Sequence, residues 1–117
     1  MPVFNFQPHF ADLVESGTKT QTIRKTCRAK IGDTVYLYTG QRTRQCRKLG
    51  EGTVINVDPV IITPRPVMRL TVCGLDVLSM DSFAKMDGFK SAAQLFEWFA
   101  IQHGLPFEGW LIKWELR

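Results

Sequence analysis

The sequence predicts an α+β domain in which a small curled sheet or β-barrel is flanked by helices. Segments with the alternation of β-strands outnumber segments with the periodicity of helices. The two kinds of segment do not alternate regularly along the chain, as they would in a doubly wound α/β protein. The 117 residues are enough for a single domain, here residues 1–117, built around one hydrophobic core.

The N-terminal segment is predicted to form a short strand followed by a helix. Phe4 to Phe6 has the composition of a strand. A helix is predicted from Pro8 to Ser16, because its apolar residues recur at intervals of three and four. Proline is tolerated in the first turn of a helix, and Gly17 can adopt the left-handed conformation that ends one.

Two further strands are predicted before the middle of the chain. Thr20 to Arg24 is predicted to be a strand in which Thr20, Thr22 and Arg24 share the face opposite Ile23. After a turn at Gly32 and Asp33, Thr34 to Thr39 alternates between apolar and tyrosine side chains. The side chains of this second strand are therefore expected to divide between the core and a solvent-facing surface.

The middle of the chain is predicted to contain a loop and two strands. Gly40 to Gly52 is polar and carries four cationic residues, so we expect a mobile surface loop there. Thr53 to Thr63 is predicted to be a strand that Pro59 interrupts, because proline lacks the backbone N–H that a ladder needs. Val67 to Leu75 is predicted to be a further strand.

The C-terminal part is predicted to contain two helices and a closing strand. Ser79 to Met86 is expected to form a short helix or turn, and Ser91 to His103 a longer helix with a clear apolar face. Trp110 to Leu116 alternates apolar with other residues, which indicates a strand with one buried face. Trp110 and Trp114 share that face, so both are expected in the core.

The cationic residues are concentrated in one third of the chain. Between Lys19 and Lys48 there are nine cationic residues against Asp33 alone, a net charge of +8 in a protein whose total is +4. Such a segment is typical of proteins that bind polyanions, of which nucleic acids are the commonest. The alternative is a solvated face that has no partner.

Composition argues against several other classes of protein. The apolar runs are only a few residues long, too short to cross a bilayer, and the N-terminus lacks the pattern of a secretory leader. We therefore expect a cytoplasmic monomer with no membrane partner. Cys27, Cys46 and Cys73 are widely spaced and form no CxxC pair, so we expect reduced thiols, no metal site and no cofactor.

The segment Gly17 to Arg24 is the strongest candidate for a functional site. Lys19, Thr20, Thr22 and Arg24 are all polar where an ordinary core strand would alternate with apolar residues. In a regular strand, residues three apart face opposite sides. Lys19 and Thr22 can therefore converge only if Lys19 lies in a turn after Gly17, a geometry that glycine makes easy.

This segment resembles the signature of a known family. The pattern G-x-K-x-x-T-I-R, formed here by Gly17, Lys19, Thr22, Ile23 and Arg24, is similar to the motif of the ASCH domain, a member of the PUA-like superfamily. The turn from Ile31 to Val35 and the late helix with a closing strand also resemble that family. The resemblance implies a small β-barrel that binds RNA or nucleotides, with the motif lining a cleft beside the barrel.

The resemblance also implies a possible reaction. One branch of small bacterial ASCH proteins is an amidohydrolase of N4-acetylcytidine that uses a threonine, a lysine and a glutamate. The threonine nucleophile and the lysine base match Thr22 and Lys19, and the acidic residue matches Asp87. Aspartate is one methylene shorter than glutamate, which reduces its reach by about 1.5 Å. This chain therefore departs from the amidohydrolase branch at its proposed acid.

Three functions remain open from the sequence. The first is an RNA- or modified-nucleotide-binding module, the second an amidohydrolase of N4-acylated cytidines, and the third a ribonuclease. The third is disfavoured because His9 and His103 are the only histidines and do not form an evident acid–base pair. Besides Lys19, Thr22 and Asp87, the predicted ligand-binding residues are Gly17, Thr20, Arg24, Tyr36 and Tyr38, and the predicted phosphate-binding residues are Lys25, Arg28, Arg42, Arg44, Arg47 and Lys48.

Overall fold

A computed structural model describes residues 2–64 and 69–117, and the described chain has the α+β architecture that the sequence predicts. The order of elements is β1 (Val3–Phe6), α1 (Pro8–Glu15), β2 (Gln21–Arg24), β3 (Thr34–Thr39), β4 (Arg47–Thr63), β5 (Arg69–Val72), β6 (Leu75–Asp76), α2 (Met80–Met86), α3 (Ala92–Gln102) and β7 (Phe107–Leu116). Within these ranges, no helix is long and apolar enough to cross a membrane, and no three metal-ligating side chains form a cluster.

The long strand β4 organises a single mixed sheet. One edge of β4 pairs with β7 from Gly52 to Ile62, and β2 continues the sheet beyond β7. The other edge pairs with β3 near its start and with β5 near its end. β1 adds to β3 as a parallel strand, and β6 adds to β5. In residues 2–64 and 69–117 these pairings leave the sheet open. Of the two forms that the sequence predicted, a curled sheet or a β-barrel, the barrel is therefore wrong.

The predicted cationic loop is shorter than the sequence suggested. β4 begins at Arg47 and already pairs there with Thr39, and Lys48 pairs with Tyr38. The sequence did not predict this part of the strand because the segment is polar. Leu49 is the one apolar, buried side chain at the start of β4. The connection between β3 and β4 is a turn in which the Thr43 N–H donates to the Gly40 carbonyl at 3.1 Å.

Pro59 does not interrupt β4, contrary to the prediction. It pairs with Trp110 of β7 and its carbonyl accepts a bond of 2.9 Å from the Cys73 N–H. On the opposite edge of β4, pairing with β3 extends only to Thr53, and pairing with β5 starts only at Val60. In the described chain Pro59 therefore lies where β4 lacks a second partner strand, which is where a missing N–H is tolerated.

The strand predicted from Val67 to Leu75 is in fact the two arms of a hairpin. β5 ends at Val72 and β6 begins at Leu75, with positive φ angles of 54° at Cys73 and 77° at Gly74 between them. Such angles turn the chain back on itself, which an alternation pattern alone does not reveal. Val67 itself lies outside the described residues.

The core lies between the helices and the sheet. It joins Phe10 and Val14 of α1 and Phe99 of α3 to strand residues that include Ile112 and Trp114. Trp114 is 1% exposed, as predicted, but Trp110 is 39% exposed. Trp110 pairs with Arg24 near the beginning of β7, where this face of the strand reaches solvent, so its predicted place in the core is wrong.

Candidate functional site

The end of helix α1 places Lys19 inside the protein. Ser16 is the C-cap of α1, and Gly17 follows with a φ of +82°, the left-handed conformation that ends helices. The Lys19 N–H then returns to the Leu13 carbonyl at 2.9 Å. This turn directs the Lys19 side chain inward, where only 2% of the residue is exposed. The predicted position of Lys19 in a turn after Gly17 is confirmed.

The end of helix α2 places Asp87 against Lys19. Asp87 is the C-cap of α2, and Gly88 follows with a φ of +94°. The Phe89 N–H reaches back to the Ala84 carbonyl at 2.8 Å, which closes the helix end. The Thr20 N–H donates to the Met86 carbonyl at 3.3 Å and so ties the two helix ends together.

Gly88 allows the two helix ends to approach each other closely. A side-chain carbon at this position would lie 2.9 Å from the Phe10 ring and 3.0 Å from Cδ of Lys19. Real carbon contacts are longer than this, since optimal separations are about 3.5–4.0 Å. Glycine is therefore required here by both its φ angle and its lack of a side chain.

Lys19 and Asp87 form a buried ion pair. The Lys19 Nζ lies 3.6 Å from Oδ2 of Asp87 and also donates a hydrogen bond to the Asp87 backbone carbonyl. Asp87 is 3% exposed, so both charged groups are removed from water. The Nζ atom also lies 4.8 Å from the centre of the Phe10 ring, within the range of a cation–π interaction.

Gln21 is a third polar member of this cluster. It is 1% exposed, and its Nε2 donates to Oδ1 of Asp87 at 3.3 Å. Its Oε1 atom is buried without a hydrogen-bond partner among the described residues. The two carboxylate oxygens of Asp87 therefore have different neighbours, Gln21 on one and Lys19 on the other.

Thr22 and Arg24 lie together on one face of β2, as predicted. The Arg24 Nε donates to Oγ1 of Thr22 at 3.2 Å, and a second guanidinium nitrogen donates to the Asn5 carbonyl at 3.1 Å. The guanidinium also lies 5.2 Å from the centre of the Phe4 ring. Because Arg24 occupies an acceptor position of the Thr22 hydroxyl, the proton of that hydroxyl is free to be donated elsewhere.

These residues face one small cavity, which we call the ring cavity. Its volume is about 130 Å³, and its polar lining includes Lys19, Thr22, Arg24 and Asp87. Its apolar walls are aromatic and include Phe6, Phe10, Phe89, Trp98 and Phe99. An apolar cavity of about 150 Å³ holds one benzene ring, so the ring cavity has the size of a single six-membered ring.

Burial moves the pKa values of the ion pair toward each other. Loss of hydration lowers the pKa of Lys19; the neighbouring Arg24 lowers it further, and Asp87 opposes the change. Loss of hydration raises the pKa of Asp87 to about 6, against the opposing effects of Lys19, Gln21 and Arg24. Perturbed groups of this kind in a cavity are characteristic of functional sites.

A wider cleft adjoins the ring cavity, which we call the basic groove. It is lined by Arg24, Lys25 and Arg28, together with parts of β1 and of the turn before β3. Arg24 and Lys25 also line the ring cavity, so the two adjoin. Asp33 is the only acidic residue among the described residues of the groove, which therefore presents net positive charge.

Several predicted ligand-binding residues lie outside the ring cavity. Gly17 and Thr20 hold the backbone of the turn that carries Lys19, and neither lines the ring cavity. Tyr36 and Tyr38 are half-buried on β3 and line neither the ring cavity nor the basic groove. Lys48 lies 5.4 Å from the Tyr36 ring centre, which gives this tyrosine a cationic neighbour of its own.

The predicted phosphate-binding residues form two groups. Lys25 and Arg28 line the basic groove, whereas Arg42 and Arg44 are exposed in the turn between β3 and β4. The remaining two have acidic partners: Arg47 lies 2.7 Å from Glu15 and 3.7 Å from Asp12, and Lys48 pairs with Glu51. These ion pairs reduce the positive charge that the start of β4 presents to solvent.

The sequence analysis missed the parts of the site that depend on long-range packing. Gln21 was not singled out from the sequence, yet it contacts Asp87 across 66 positions. The aromatic walls from α1 and α3 were read as core residues of amphipathic helices. The one signal in the sequence was the position of Gln21 between two threonines of a predicted strand. Because β2 is buried on both faces around Gln21, the amide of this residue has to find its partner inside the protein.

No protein family is shown for this chain by similarity. Comparison with models of protein families, with curated proteins and with solved structures found no match. What the site binds is therefore inferred from its own geometry and charge.

Proposed function

We propose that the ring cavity binds the base of an RNA nucleotide or of a modified nucleoside. The observation that carries this proposal is a ring-sized cavity that combines aromatic walls with Lys19, Thr22, Arg24 and Asp87. A nucleobase has a flat apolar face and an edge with both donors and acceptors, and proteins bind unpaired bases by stacking and by hydrogen bonds to that edge. The basic groove would hold the attached phosphates.

The proposal extends to the protein family of this chain. The motif from Gly17 to Arg24 resembles that of ASCH domains, and we propose a PUA-like fold for the chain on this basis. Two features support it: the α+β order of elements and the position of the motif beside a cleft. The open sheet of the described residues is compatible with a curled rather than a closed form.

Binding can be tested with nucleosides by calorimetry. The ligands are cytidine, N4-acetylcytidine, uridine and adenosine, and the variant is Lys19→Met, which keeps an apolar stem but removes the charge. We expect at least one pyrimidine nucleoside to bind the wild type and to bind the variant at least 10-fold more weakly, since a hydrogen bond to a charged group contributes about 1.5–3 kcal/mol.

The matched control is Lys113→Met, which removes a lysine from β7 that does not line the ring cavity. Its affinity should equal that of the wild type. The proposal would be contradicted if no nucleoside bound, or if Lys19→Met and Lys113→Met bound equally well.

The second candidate function is an amidohydrolase of N4-acylated cytidines. The specific observation in its favour is the buried pair of Lys19 and Asp87 in the same cavity as Thr22. A site that only binds its ligand does not need two buried titratable groups. Acid–base catalysis, in contrast, needs groups whose pKa values are shifted toward neutrality. Burial lowers the pKa of Lys19, which increases the fraction of its neutral amine.

The proposed reaction proceeds in two steps. Oγ1 of Thr22 attacks the amide carbonyl carbon while its proton passes to the neutral amine of Lys19, and the carbonyl π electrons move onto the carbonyl oxygen. Arg24, which lies beside Oγ1 of Thr22, stabilises the negative charge that develops on that carbonyl oxygen. The carbon–nitrogen bond then breaks, and the exocyclic amine of cytidine leaves with a proton from Asp87 or Lys19. Water hydrolyses the acyl ester of Thr22, which gives cytidine and the carboxylic acid.

Hydrolysis is tested by following release of cytidine from N4-acetylcytidine. Thr22→Val should abolish turnover but keep nucleoside binding, since valine has nearly the shape of threonine. Asp87→Glu, which restores the longer acid of the amidohydrolase branch, is the complementary variant. If neither the wild type nor Asp87→Glu turns the substrate over, the amidohydrolase candidate is wrong while the binding proposal stands.

A further inference from the structure

A third cavity lies on the other side of the aromatic wall of the ring cavity. We call it the lysine pocket; its volume is about 630 Å³, within the range of about 300–1,000 Å³ that is typical of small-molecule sites. Phe89 and Trp98 line both the lysine pocket and the ring cavity. With Phe10 they form a cluster of three rings whose centres lie 5.4–6.0 Å apart.

The lysine pocket combines an apolar floor with positive charge. Leu13, Phe89 and Trp98 are its apolar residues, and Lys85 and Lys90 are exposed at its edge. Its described lining contains no acidic residue. A ligand that fits this combination has a flat apolar ring and a negative charge, and a nucleotide has both.

The lysine pocket also offers a hydrogen-bond donor. Oε1 of Gln94 accepts the Lys90 backbone N–H at 2.7 Å, so the acceptor atom of this amide is already used. The NH₂ group of the same side chain remains to donate to an acceptor on a base edge. Gln94 thus adds polar recognition to stacking on the apolar floor.

The three cavities are neighbours that share lining residues. The basic groove shares Arg24 and Lys25 with the ring cavity, and the ring cavity shares Phe89 and Trp98 with the lysine pocket. Positive charge therefore lies on both sides of the ring cavity. A free nucleoside would use only the ring cavity in the middle, whereas a nucleotide joined to its neighbours would use the cavities on both sides.

We propose that the lysine pocket binds a second nucleotide, covalently joined to the one whose base occupies the ring cavity. This inference rests on the proposed function of the ring cavity. Its consequence is that the ligand is a segment of single-stranded nucleic acid rather than a free nucleoside. The flanking base lies on the floor at Trp98, and its phosphate contacts Lys85 or Lys90.

The test compares affinities for a nucleoside and for two dinucleotides. The nucleoside is whichever pyrimidine binds the wild type most tightly, and each dinucleotide adds a uridine through a phosphodiester, one on the 5′ side and one on the 3′ side. Stacking of a base on an aromatic side chain is expected to make one dinucleotide bind roughly 5- to 150-fold more tightly than the nucleoside. Only pyrimidines without an N4-acyl group are used, so that no substrate is consumed.

The double variant Lys85→Ala with Lys90→Ala then isolates the pocket. For one of the two dinucleotides, the ratio of dinucleotide to nucleoside affinity should fall at least fivefold, and for the other it should not change. The charge-matched control is Arg69→Ala with Lys113→Ala, since neither residue lines any of the three cavities. In the control, both ratios should match those of the parent protein.

The outcomes separate this inference from the proposed function. Nucleoside binding with both ratios unchanged in the lysine variant would overturn the second subsite alone. Free uridine monophosphate that bound as tightly as the dinucleotide would also overturn it, because the pocket would then be an independent site. No binding of any nucleoside or dinucleotide would overturn the proposed function together with the subsite.

Discussion

The buried carboxyl group of Asp87 should make folding stability depend on pH in a defined direction. Burial raises its pKa from 3.8 to about 6, so in this interval the folded protein holds a proton that the unfolded chain has released. Stability falls with rising pH wherever the folded state binds more protons. The contribution of Asp87 to the free energy of unfolding is therefore largest below pH 3.8 and decreases as the pH rises through about 6.

The size of this decrease follows from the shift. One pKa unit corresponds to about 1.4 kcal/mol, so a shift of roughly two units corresponds to about 3 kcal/mol. The carboxyl group is almost completely buried, so solvent screening reduces this figure little. Replacement by asparagine removes the titration but keeps the size and polarity of the side chain.

The assay is urea unfolding of the wild type and of Asp87→Asn from pH 3 to pH 7.5, followed by tryptophan fluorescence. The free energy of unfolding of the wild type relative to that of the variant should decrease by about 3 kcal/mol over this range. Comparing the two proteins cancels the contributions of the other acidic residues. Asp12→Asn is the control, since the Asp12 side chain is 97% exposed, and its profile should run parallel to that of the wild type. A parallel profile for Asp87→Asn would refute the reasoning.

Two further predictions concern the packing and charge of the site. Gly88→Ala should lower the free energy of unfolding by about 2–5 kcal/mol, because it adds both backbone strain and a clash with Phe10. Gly74→Ala should lower it by only about 1–2 kcal/mol, because its new methyl group meets nothing within 4 Å and only the backbone strain remains. Equal losses in chemical denaturation would contradict the packing. Lys25→Ala with Arg28→Ala should reduce the salt dependence of binding to single-stranded RNA by about 1.4 in the logarithmic slope, and an unchanged slope would mean that the basic groove does not contact phosphate.

The local half of the site could be predicted from the sequence. A glycine after an amphipathic helix predicts a turn. The polar strand that follows predicts that Lys19 lies in this turn, since only there can its side chain approach that of Thr22. These inferences use residues within eight positions of one another, where backbone preferences decide the geometry. The structure confirms the turn and the shared face of Thr22 and Arg24.

The other half depends on long-range contacts. Asp87 meets Lys19 across 68 positions, and only the resemblance to a family singled it out. The cation-rich start of β4 was read as a loop because its composition is polar, but pairing with β3 supplies backbone hydrogen bonds that composition does not encode. Pro59 was read as a break because the sequence does not say which edge of a strand lacks a partner.

The central claim is that a nucleoside occupies the ring cavity beside Lys19 and Asp87. The most direct measurement is a carbon-13 NMR titration in which N4-acetylcytidine and cytidine are added to labelled protein while the Asp87 carboxyl and Lys19 ε-carbon resonances are followed. Both resonances should shift and saturate at the same ligand concentration for at least one of the two nucleosides, and Lys113 should not respond. If neither nucleoside moved the Asp87 and Lys19 resonances, the assignment of the ring cavity as the binding site would be contradicted.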